Sequence, residues 1–130
     1  MSVFLAIGLF AVFMIIGLSV DGAGQLFAMQ RAHNIAAEAA RAGGQSIDEG
    51  QAIEGGRKVL DPAAAVAAAK AYREAAGATG AEPVVDPDGQ AITVQVDLVY
   101  QPVMLRFFGW QREIVVRETA TARLLDAPTP

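Results

Sequence analysis

The side chains in this sequence with the types and spacing for chemistry are a few carboxylates, one histidine and several paired glycines. Asp48, Glu49 and Glu54 crowd a glycine-rich stretch, and clustered carboxylate oxygen is what a hard cation needs. A calcium loop also requires oxygen ligands at alternating positions, a sharp glycine turn and a closing bidentate glutamate, and that spacing is absent. The stretch reads as a solvated loop. The Gly-Gly pairs carry neither the Lys-Ser/Thr of a phosphate loop nor a dinucleotide fingerprint. His33 has no acid or nucleophile at a readable spacing and falls on an amphipathic helical pattern, so a surface or contact role is expected. Tyr72 is expected to pack rather than catalyse. With Cys 0 there is no thiolate nucleophile, no Cys-ligated metal and no disulfide. Fourteen acidic and ten basic residues leave a net charge of -4 with no basic cluster, which argues against a nucleic-acid partner. The expectation is a non-enzymatic chain with no catalytic, cofactor-binding or metal-binding residues, no cofactor and no small-molecule substrate. Its function must then lie in surfaces and in the elements that present them.

The first such element is apolar. Residues 3–20 (VFLAIGLFAVFMIIGLSV) contain no charged side chain. As a helix rising about 1.5 Å per residue they nearly match the roughly 30 Å hydrocarbon core of a bilayer. A cleaved signal peptide, with a cut after Gly22, is the competing reading, although only Met1 and Ser2 precede the apolar run where a basic start is usual. The expected organisation is a transmembrane anchor over 1–20, an α+β domain over 21–125 and a disordered tail over 126–130. The first basic residue, Arg31, lies well beyond the span, so charge alone does not orient it.

Asp21, Gly22 and Gly24 weaken the join but bring no helix stop, and 25–42 (QLFAMQRAHNIAAEAARA) is rich in helix formers, so one long rod ending at Gly43-Gly44 is predicted. Arg31, Asn34, Glu38, Arg41 and Gln45 recur every three or four residues as a polar stripe. Ala28, Ala32, Ala36, Ala40 and Gly44 form a small-residue face, suited to close packing within the subunit or to a helix contact between subunits. Residues 45–60 read as a loop or a frayed helical piece. Asp61 and Pro62 supply an N-cap and a first-turn proline for a second, short helix running to Gly77. Its wet face is predicted at Lys70, Arg73 and Glu74, with Ala64, Ala68, Ala71, Tyr72 and Ala75 against the domain.

From Glu82 the period becomes two. Ile92, Val94, Val96, Leu98 and Tyr100 alternate with Thr93, Gln95 and Asp97, as in a half-buried strand. Val84-Val85 and the turn Asp86-Pro87-Asp88-Gly89 precede it and complete a hairpin. Ile114, Val116, Ala120, Ala122 and Leu124 form a third run, interrupted at Glu118. The fold expected is α+β, with a three-stranded antiparallel sheet packed on helix. Between the second and third strands, VMLRFFGW (103–110) gathers Leu105, Phe107, Phe108 and Trp110 around one arginine. A solvated hairpin tip would not have this composition, and three locations suit it: the core, the membrane interface or a partner subunit.

The order of an apolar span, then VDGAGQLFAMQRAHNIAAEAARAGG, resembles TadE/TadG-like proteins of bacterial tight-adherence (Flp-type) pilus systems. In that family an aspartate ends the span and leads into an Ala-rich helix of the QNAADAAALAG kind. Asp21 takes that place here, with Asn34, Ala36, Ala37, Ala39, Ala40 and Gly43 in a comparable rhythm. RETATARLL (117–125) is similar to the TATAR-type final strand of such chains. Pilin precursors of this kind carry a basic leader and then a Glu near the fifth residue of the mature chain, whereas this sequence opens MSVFLAI and has no acid before Asp21. The resemblance therefore implies a pilin-like accessory subunit in the bacterial cell membrane. It would be single-pass, with its C-terminal domain extracytoplasmic and with other pilus-assembly or pilin-like subunits as partners. The alternative from a different class is a membrane-tethered extracytoplasmic ligand-binding or sensor domain, which would need a polar-lined pocket.

Overall fold

The computed structural model describes residues 1–50 and 58–124. The proposed disordered tail, Glu54 and the Gly55-Gly56 pair lie outside the described residues. One helix dominates: α1 spans Ser2–Gly44, 43 residues, without a break at Asp21, Gly22 or Gly24. At about 1.5 Å per residue it is about 65 Å long. Its first half is long and apolar enough to cross a membrane and projects from the rest of the molecule with its large side chains exposed. The hydroxyl of Ser19 donates to the Ile15 carbonyl at 2.8 Å, so this side chain too is satisfied within the helix.

The second half of α1 carries the head. Helix α2 (Pro62–Ala75) starts where Asp61 accepts from the amides of Ala63 and Ala64 at 3.0 and 3.1 Å, and Pro62 occupies the first turn. Strands β1 (Val84–Val85), β2 (Ala91–Tyr100) and β3 (Ile114–Arg123) form an antiparallel sheet in the order β1-β2-β3. Gly89 takes φ of 66° in the first hairpin turn, a conformation that favours glycine. In the β2–β3 register Val96 faces Glu118 and Leu98 faces Val116. The connection between these strands holds a single helical turn, α3 (Met104–Phe107).

The core lies between α1, α2 and the inner sheet face. Ile92, Val94 and Val96 of β2 are fully buried, each worth about 1.5–3 kcal/mol of apolar transfer. Opposite them stand Ala32, Ile35, Ala36, Ala39 and Ala40 of α1, with Ala65 and Ala69 of α2. The alanine face is thus packed within the subunit, while Arg31, Asn34, Glu38, Arg41 and Gln45 are exposed as the polar stripe requires. A repeat of four overshoots the helical turn by about 40° per step, so Ala28 and Gly44 at its ends are only half-buried and Ile35, Ala39 and Gly43 join the contact.

Two expectations are corrected. The buried face of α2 is Ala65, Ala69 and Arg73, whereas Ala64, Ala71, Tyr72 and Ala75 are exposed. Alanine fills most of this helix, so its few polar residues set the expected wet face, and Arg73 among them is buried. Arg73 can be buried because its guanidinium donates to the carbonyls of Ala81 and Gln95. Glu118, read as an interruption, continues β3 on its inner face. There its carboxylate lies 3.9 Å from His33 Nδ1 on α1.

On the outer sheet face Arg117 grips Asp97 through two hydrogen bonds of 2.8 and 3.0 Å. The Arg117 hydrogen bond holds the Asp97 carboxyl below its ordinary value, against a smaller opposing effect of burial. The resulting stabilisation is present above the ordinary aspartate range, about pH 4, and is lost as pH falls through the lowered value. Denaturant unfolding of the wild type in detergent should weaken across that acid window, and Asp97→Asn should remove this part of the pH dependence. Leucine at Ala36, a position with 0% exposure, should cost about 1–3 kcal/mol in the same assay, whereas Arg31→Ala should leave the midpoint nearly unmoved.

Candidate functional site

Polar chemistry concentrates at the junction between the bare half of α1 and the head. Gly17, Asp21 and Gly24 lie on one face of α1, and the β2–β3 connection folds down onto it. Asp21 is 4% exposed. Burial of a carboxylate is costly unless hydrogen bonds replace its water, and here the backbone supplies them. The amides of Val103 and Met104 donate to Oδ1 at 2.8 and 3.1 Å, and that of Leu105 donates to Oδ2 at 2.7 Å. The Tyr100 hydroxyl completes the set at 3.5 Å. Burial raises the Tyr100 pKa, and the adjacent Asp21 charge adds to the effect. Tyr100 fits only because Gly24 has no side chain: a Cβ there would overlap the tyrosine oxygen.

Asp21 therefore caps α3 from another part of the chain. The residue preceding α3, Val103, has no side-chain acceptor of its own, so the free amides of this turn are held by an aspartate 82 positions away. At its other end the amides of Phe108 and Trp110 donate to the Leu105 carbonyl at 3.1 and 3.0 Å, and Gly109 donates to Arg106 at 3.1 Å. Below the cap, Met104, Leu105 and Phe108 line an apolar groove with Met14, Ile15, Gly17 and Leu18. The rings of Phe10 and Phe108 meet edge to face at 6.3 Å.

Of the residues expected at the tip, Leu105 is half-buried against α1, while Phe107, Phe108 and Trp110 are 90%, 52% and 50% exposed. The tip does not close the head's core. It packs instead on the apolar half of α1, because Asp21 anchors its base below the sheet. Ala28, Ala32, Ala36, Ala40 and Gly44 lie further along the helix and belong to the head's packing. Sequence reasoning placed Asp21 only as a marker of the span's end and missed its capping role. The available signal was Pro102 followed by a helix-forming turn with no Ser, Thr, Asp or Asn at its start.

Two further hollows have polar linings. One is lined by Met29, Gln30, His33, Asn34 and Glu118, another by Gln101, Arg106, Gln111, Arg112 and Glu113. In the second, Gln101 donates to Glu113 at 2.9 Å and accepts from Arg106 at 3.3 Å. Among the described residues no group of three or more His, Asp and Glu could hold a metal ion. The Asp48 carboxylate accepts from the Gly50 amide in a local turn.

If Asp21 holds the tip, its loss should free Arg106 for proteolysis. Asp21→Ala in detergent should be cut by trypsin after Arg106 faster than the wild type, with Asp21→Asn, which keeps one acceptor oxygen, in between.

No curated protein and no solved structure matches the chain. Residues 1–46, which comprise all of α1 and therefore Asp21, match the model of the family described as "Putative Flp pilus-assembly TadE/G-like".

Proposed function

We propose that this chain is a non-enzymatic, membrane-anchored subunit or accessory protein of Flp pilus assembly, with residues 1–20 in the bacterial cell membrane and the α+β head outside the cytoplasm. The observation that carries the reading is the family match over residues 1–46, because the matched segment is also the one with the physical form of an anchor. Its apolar half is exposed on most sides, and among the described residues it is the tip that packs on it. An exposed apolar helix of this length needs lipid or other apolar helices around it.

The same helix then supplies the alanine face on which the head is built. Anchor and head are consequently one rod, and a force or displacement on one is passed to the other without a flexible linker. That arrangement suits a structural component docking beside similar helices in the membrane. Three charged contacts serve packing: Arg73 ties α2 to the sheet, Asp97 and Arg117 brace the outer face, and Asp21 holds the tip.

Two measurements test this. A tagged chain should remain with membranes under alkaline extraction and copurify from mild detergent with tight-adherence assembly proteins; recovery as a soluble monomer would overturn the reading. Because the chain has Cys 0, Thr119→Cys on the exposed face of β3 gives a single thiol. A membrane-impermeant maleimide should label it in intact spheroplasts, and labelling only after lysis would place the head in the cytoplasm.

A further inference from the structure

We propose that the β2–β3 connection is a second membrane element: a re-entrant wedge over residues 103–110 that enters the bilayer leaflet nearest the head, alongside α1, and is held there by Asp21. This rests on reading residues 3–20 as a membrane span.

Depth is set by contact with that span. Phe10 lies eleven residues before Asp21, about 16 Å along the helix axis, which is about half of a roughly 30 Å hydrocarbon core. The Phe108 ring rests on Phe10, and the groove beneath the tip is made of Met14, Ile15, Gly17 and Leu18. Gly17 admits the tip closely, since a Cβ there would lie 3.3 Å from that of Met104. If the span is in lipid, the tip is at the same depth. The lipid around α1 is then what covers the outward side of the wedge, where Val103, Phe107 and Trp110 are 61%, 90% and 50% exposed.

A non-spanning segment tolerates hydrocarbon only if its backbone polar groups are paired within the protein. Asp21 takes the amides of Val103, Met104 and Leu105, and the turn's own carbonyls take those of Phe108, Gly109 and Trp110. The single charge within the tip also has an exit. The guanidinium of Arg106 reaches back to Gln101 in the polar hollow that Arg112 also lines. That hollow is beside Pro102, next to the capped base of the tip, where headgroups can solvate both arginines. Asp21 is here a positioning residue, which makes the first amides of the wedge compatible with lipid and fixes its angle to α1.

The chain contains one tryptophan, Trp110, so the full-length protein carries its own depth probe. Reconstituted alone into phosphatidylcholine vesicles, it should lose Trp110 emission when the acyl chains are brominated and should resist quenching by aqueous iodide. Trp110→Phe combined with Phe10→Trp reports on the span separately. If that probe is quenched by brominated lipid while Trp110 answers only to iodide, the wedge is overturned and the anchor stands, leaving the tip as a contact for a partner subunit. If neither probe responds to brominated lipid, the anchor reading fails and the wedge with it. Asp21→Ala should move Trp110 toward iodide accessibility, with Asp21→Asn intermediate, and should leave the Phe10→Trp probe unmoved. Unchanged Trp110 quenching in Asp21→Ala would overturn the positioning role.

Discussion

A single unbroken helix has to satisfy two environments, and the rest of the structure follows from how its one packed face does so. From Gly17 through Asp21, Gly24, Ala28, Ala32, Ala36, Ala39 and Gly43 the steps are three or four residues, so these positions share one side of α1. Nearly all are Gly or Ala. Small side chains bring the helix axis close to whatever packs on it, and the large groups come from the other partner: Tyr100 over Gly24, Met104 over Gly17, Ile92 over Gly43. The core is asymmetric for this reason. The sheet contributes the volume and α1 contributes a smooth surface, so added bulk on this face of α1 has little room.

Buried charge enters this packing where backbone groups meet most of its polar atoms, Arg73 Nε being left without a hydrogen-bond partner among the described residues. Among the described residues Asp21 and Arg73 are the buried charged ones, and both bond mainly to main chain, Asp21 to three amides and Arg73 to two carbonyls. The two solve opposite problems. Asp21 supplies acceptors to a helical turn whose start has none, and Arg73 supplies donors where the sheet edge turns into a loop. A side-chain partner can be lost by one substitution, whereas amides and carbonyls are present whatever the local sequence, provided the backbone stays in place. Each contact therefore depends on the long-range fold and in turn helps fix it.

That dependence also marks the limit of what is legible in the sequence. The rod, the capped start of α2, the hairpin at Asp86–Gly89 and the alternating strands are visible because each depends on local spacing: periods of 3.6 and 2, a capping aspartate, a turn glycine. The resemblance over the first third of the chain was legible too, and the family match falls on it. The orientation of α2 was not, because in a helix made mostly of alanine the few polar residues set the expected wet face, and one of them, Arg73, is buried against carbonyls at Ala81 and Gln95. Glu118 was misread because its inward position makes sense only beside His33, 85 positions earlier. At the tip, the composition of residues 103–110 excluded a solvated turn, but its location depended on Asp21. No local pattern links an aspartate at the end of an apolar run to three amides beyond the second strand.

The tip and the head then pack as two parts of one layer on α1. Both are joined to the same face, the tip at Gly17 and Asp21 and the sheet from Ala28 onward, and β2 and β3 run directly into the tip's two ends. A rotation of α1 about its axis would have to break the Asp21 bonds and the alanine contacts together, because both lie along one line on the helix. The opposite side of the apolar half, with Leu5, Val12 and Ile16 exposed, carries none of these constraints. Of the two sides of the rod, one is therefore committed to holding its own head in a fixed orientation, and the other is free for contact with lipid or with neighbouring helices.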